Sequence, residues 1–122
     1  MSLLPADKFD CAAVARLAAL PPDVIAPLLP ELLTWLQDAN WPVALPLAAF
    51  LRPWQPQLDA AIVAVLRGRD EEWKAALLTQ LLDARAGAAT LREVARIAQF
   101  PTAEERAAGV DAAARAVLLA EH

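Results

Sequence analysis

Ten prolines are set into a chain otherwise made of helix formers, and they divide it. Alanine occurs 30 times and leucine 21 times, against three glycines, three isoleucines and no tyrosine. Ala and Leu favour helix, and residues that favour strands are scarce. Proline removes a backbone donor and clashes with the preceding turn, so each one outside a first helical turn ends or kinks a helix. The expected fold is therefore all-α and built from short helices. At 122 residues it is read as one domain, 1–122.

Apolar spacing fills the intervals. After Asp10, a candidate N-cap, Val14, Leu17 and Leu20 fall at helical spacing until Pro21 and Pro22. A second helix is predicted from Asp23 to Gln37, kinked at Pro27 and Pro30, with Leu28, Leu29, Leu32, Leu33 and Leu36 on its apolar side. Asn40 is expected to cap a third helix that ends near Arg52 and Pro53. Pro56 opens a fourth, carrying Leu58, Ile62, Val65 and Leu66 and ending at Gly68. Asp70, Glu71 and Glu72 begin a fifth, where negative charge suits the helix dipole. That helix runs through Trp73, Leu77, Leu78, Leu81 and Leu82 and is expected to close at Gly87. A sixth, on Thr90 to Gln99, stops before Pro101. Thr102 and Glu105 have capping-box spacing, and Gly109 marks a break before Asp111 to Leu119.

Part of this pattern repeats. A shift of 32 residues lays Trp41-Pro-Val-Ala-Leu over Trp73-Lys-Ala-Ala-Leu, Ile62 over Val94 and Val65 over Ile97. One helix pair, 40–67, thus maps onto another, 72–99. Such a period suggests a short HEAT-like α-solenoid of about six to seven helices in antiparallel pairs, its terminal segments acting as caps. The turns between pairs would share one edge, and the second helix of each pair would line the inner face.

The residue inventory argues against several functions. The formal net charge is -4, with 11 bases of which two are lysine. That charge disfavours nucleic acid, whose phosphates call for a basic patch. Cys11 is the one cysteine, so no internal disulfide forms and a cytoplasmic setting is expected. Cys11 is read as a small core residue. Ser2 and His122 are the only serine and histidine and lie at the termini, a poor basis for a nucleophile pair or a metal site. No cofactor is implied. Met1 to Asp10 lack the apolar run of a secretory signal, and no segment is long enough to span a membrane.

Three stretches carry a resemblance: Leu3 to Asp10 (L-L-P-A-D-K-F-D), Leu32 to Ala44 (L-L-T-W-L-Q-D-A-N-W-P-V-A) and Asp70 to Leu78 (D-E-E-W-K-A-A-L-L). In these the chain resembles a family of short bacterial proteins catalogued as domain-of-unknown-function family five-zero-seven-one. The resemblance implies a helical, HEAT-like domain and brings no activity, cofactor or catalytic residue.

The candidate partner-binding residues are Asp38, Asn40, Trp41 and Trp54 near the turns, and Arg92 and Arg96 on the expected inner face. The leading expectation is a non-catalytic protein–protein interaction module, an adaptor or an immunity-type inhibitor of a basic toxin, present as a monomer or weak homodimer. An acidic patch without internal cation partners would mark it. The alternative is a nucleic-acid or nucleotide binder, which needs Arg67, Arg92 and Arg96 to converge unneutralised. An enzyme using Asp70 to Glu72 or Cys11 ranks last.

Overall fold

The computed structural model describes residues 3–120, which form short helices joined by turns, without strands among the described residues. Ser2 and His122 lie outside the described residues. Helix α1 (Ala12–Ala18) buries Ala13 and Leu17 and lies against α4. No side chain caps it. The Asp10 carboxylate turns back to accept the Ala6 N–H and the Arg16 guanidinium, each at 2.9 Å. Cys11 is exposed rather than buried, because α1 turns its Ala13 and Leu17 side to the core; its thiol donates to the Pro42 carbonyl at 3.4 Å.

The prolines act as expected in the second helical stretch. It divides into α2 (Pro22–Ile25), a 3₁₀ turn (Ala26–Leu28) and α3 (Leu29–Thr34). Leu29, Leu32, Leu33 and Leu36 are buried. Asn40 does not cap the next helix. Residues 38–43 form tight turns, Val43 N–H donates to the Lys8 carbonyl, and α4 (Ala44–Leu51) has Val43 rather than Asn40 at its N-cap, so it begins three residues later than expected. A 3₁₀ turn, Arg52–Trp54, follows. Helix α5 (Asp59–Leu66) starts after Pro56, not at it, since Gln55 to Leu58 form further turns.

Asp70 caps α6 (Glu71–Ala76), its carboxylate accepting the Trp73 N–H at 3.1 Å. The helix then widens into a π turn, Leu77–Leu81, where Leu82 N–H reaches the Leu77 carbonyl. Arg52 pins this turn, its Nε and Nη2 both donating to the Gln80 carbonyl at 3.2 and 2.8 Å. Gly87 is not the end of this helix but the N-cap of α7 (Ala88–Gln99). A Cβ on Gly87 would collide with the Asp59 carboxylate, which accepts the backbone N–H and hydroxyl of Thr90 at 2.8 and 2.6 Å. Asp59 thus satisfies the start of α7 from another helix. The capping box forms as expected at α8 (Ala103–Ala107). Gly109, at φ 76°, turns the chain in the left-handed region into α9 (Val110–Ala120).

Packing follows chain order. Helix α4 rests on the π turn, α5 on α7, and α7 on α9. Leu17, Leu36, Leu47, Leu51, Ile62, Leu66 and Leu77 are fully buried within one contiguous apolar cluster. Among the described residues, no helix is long and apolar enough to cross a membrane.

Candidate functional site

Two positions on apolar stripes hold charge. On α6 and its π turn, Lys74 lines up with Leu77, Leu78 and Leu81, the i, i+3, i+4 and i+7 face. On α7, Glu93 sits between Thr90, Val94 and Ile97 on the buried face. Lys74 is 3% exposed and Glu93 7%. An unpaired charge at such depth would be costly, so each needs a partner.

The partners form an alternating chain of six charges. Glu71 meets Lys74, both carboxylate oxygens at 3.1 Å from Nζ. Lys74 Nζ donates to Glu105 Oε2 at 2.8 Å. Arg96 donates to Glu105 Oε1 at 2.7 Å and Oε2 at 3.1 Å. Its Nε donates to Glu93 Oε1 at 2.9 Å, and Arg67 Nε donates to Glu93 Oε2 at 3.0 Å. Glu105 is the hub. It is fully buried and also accepts the Thr102 N–H of its own capping box. Burial raises its carboxyl, but hydrogen bonds from Arg96, Lys74 and Thr102 outweigh that and hold it at about 2. Burial acts upward on Glu93 as well, and Arg96 with Arg67 brings it below the ordinary range. Glu105 and Glu93 in turn raise the Arg96 guanidinium.

This network lines a cleft of about 610 Å³, bordered also by Arg69 and Glu104. Beside it an apolar groove of about 360 Å³ runs between Pro30, Leu33, Val65 and Trp73. The Trp73 indole N–H is buried without a hydrogen-bond partner among the described residues.

A third cleft, of about 310 Å³, unites the turn before α4 with the first turn of α6. Asp38 and Asn40 line one side, Glu72 and Thr79 the other. Asp38 Oδ1 accepts the Asn40 N–H at 2.8 Å, and the Ala39 carbonyl accepts from the Gln80 side chain. Neither Asp38 nor Glu72 has an ion-pair partner among the described residues. The three acids Asp70, Glu71 and Glu72 go separate ways: a cap, an ion pair and an open cleft.

The structure therefore gathers some of the expected residues and scatters others. Asp38 and Asn40 share a cleft. Trp41 stands behind them with its ring edge-on to Trp35 at 6.1 Å. Trp54 is half-buried on the 3₁₀ turn after α4. Arg96 is bound up in the network. Arg92 is exposed, with Asp59 as its electrostatic neighbour. Arg67 and Arg96 do converge, but each carries a carboxylate. Sequence reasoning missed Lys74, the burial of Glu93 and the hub role of Glu105. For the first two the signal was present as charge on an apolar stripe.

No curated protein matches the chain. The family model described as domain of unknown function (DUF5071) matches residues 3–118, and the chain, covered almost end to end, belongs to that family.

Proposed function

We propose that the chain is a short HEAT-like α-solenoid acting as a non-catalytic protein–protein interaction module, which docks a basic segment of a partner on the edge where Asp38 meets Glu72. The solenoid reading is supported by like-on-like packing. The first helix of one unit, α4, lies on the first helix of the next at its π turn, and the second helices, α5 and α7, lie on each other. The single observation behind the docking role is the 310 Å³ cleft, whose two carboxylates lack a cation among the described residues. An unneutralised acidic pair accepts Lys or Arg and steers a basic partner. An adaptor or an inhibitor of a basic toxin fits this chemistry. A cytoplasmic setting suits a chain with one thiol. The nucleic-acid alternative loses support because Glu93 and Glu105 neutralise Arg67 and Arg96.

The test is affinity capture with the intact chain as bait, from cells that express it. The expected result is one stoichiometric protein, rich in Lys or Arg at its contact, whose recovery falls with added salt. Asp38→Ala with Glu72→Ala should abolish recovery while helicity is unchanged. Capture of nucleic acid instead, or of a protein indifferent to both exchanges, would overturn the reading.

A further inference from the structure

The charged cleft at the α6–α8 corner shares no lining residue with the Asp38–Glu72 cleft. Its floor is closed chemistry, since Lys74 and Glu105 are nine-tenths buried or more and paired. Packing alone does not call for such a floor, because apolar residues of similar volume do the same work at no loss of stability. Its volume, about 610 Å³, lies in the range of small-ligand sites, which are usually apolar; this one is lined mainly by residues with charged side chains.

Around the mouth the pairing is incomplete. Among the charged residues of the lining, two have side chains with no ion pair or hydrogen bond among the described residues: Arg69 and Glu104, one of each sign. Arg67 is committed through Nε alone, so both its terminal amino groups are open to a ligand. The Thr102 hydroxyl accepts the Glu105 N–H and keeps its own proton to donate. A lone anion would suit the arginines but not Glu104, and a lone cation the reverse.

The geometry points to a binding site for a small zwitterion of the amino-acid or short-peptide class, its carboxylate on Arg69 and Arg67 and its ammonium on Glu104. Guanidinium takes carboxylate in a two-bond fork, which gives that end its specificity. Three residues of extended peptide span about 10 Å, close to the width of a rounded cavity of about 610 Å³.

The experiment is an NMR titration of the isotope-labelled full chain with triglycine, N-acetyl-triglycine and triglycine amide. Triglycine should move the amides of Gly68, Arg69, Glu104 and Glu105. Each blocked analogue loses one charged contact and should bind roughly tenfold weaker or worse. Arg69→Gln and Glu104→Gln should weaken triglycine to the same degree and leave the urea midpoint unchanged, since both side chains are exposed. Amides that stay still under triglycine overturn the proposal. So do blocked analogues that bind as well as the parent peptide, or variants that bind like the unaltered chain.

Discussion

The two units that overlay at a shift of 32 residues bury the same apolar positions in different company. Ile62 and Val94 are both at 0% exposure, and Val65 and Ile97, the next matched pair, are both buried. In the first unit the buried positions of α5 are Ile62, Val65 and Leu66, all apolar. In the second, Glu93 takes the position of Ala61, and Lys74 that of Pro42. On α5 the buried stripe is a plain apolar layer, and Arg67 just past its end joins the ion pairs. The second unit has the same layer with an ionic seam along its edge. The overlay thus matches buried positions with buried positions, and single exchanges at the margin of that face decide where charge enters it.

The most severe way to break this contrast is Glu105→Ala. It strips the hub from Lys74 and Arg96 and should cost about 3 kcal/mol or more, because it leaves buried charge poorly compensated. Urea denaturation reads the loss. Adding Lys74→Met should recover part of it, since the buried cation leaves with its partner. Recovery would show that the second unit can revert to the plain layer of the first.

Acid should dissolve the seam next. Glu105 is held at about 2 in the folded chain, below the ordinary 4.5. A carboxylate depressed by folding stabilises the fold above its unfolded value, and that contribution fades as pH falls through the window toward the folded one. The urea midpoint should therefore drop between pH 4.5 and about pH 2. In Glu105→Gln the drop should be shallower. Asp83, also held at about 2 by Arg85, keeps some slope in both proteins.

Gly87→Ala should cost less, about 1 to 2 kcal/mol, by pushing the Asp59 carboxylate off Thr90 and leaving the first turn of α7 short of a partner. Amide exchange at Thr90 would report it. Equal protection in both proteins would mean that Asp59 does not hold the start of α7.

Such residues explain what was legible in the chain and what was not. The Leu29, Leu32, Leu33 and Leu36 stripe, the Thr102–Glu105 box and the Gly109 break depend on neighbours in sequence, and all stand as expected. Asn40, Pro56 and Gly87 are turn residues whose role depends on what lies across from them. Gly87 was expected to end a helix by its freedom of conformation. Its φ is an ordinary -67°, and it is needed for the closeness of Asp59, 28 residues away. The π turn is invisible locally as well, because one of its last open carbonyls, that of Gln80, is satisfied by Arg52 from another element. Of the candidate site, Asp38 and Asn40 could be found from their turn. Glu72 across from them, and the whole six-charge chain, required the fold to bring distant segments together.

The hub residue sits on a helix of five residues. A helix that short does not persist in water by itself. Its order is lent by Lys74, 31 positions earlier, and by Arg96. During synthesis, then, α6 and α7 emerge with Lys74 and Arg96 each paired on its own helix but still without the carboxylate they share. Only when residue 105 arrives does the corner close, so a growing chain and a finished one differ in surface charge as well as in length.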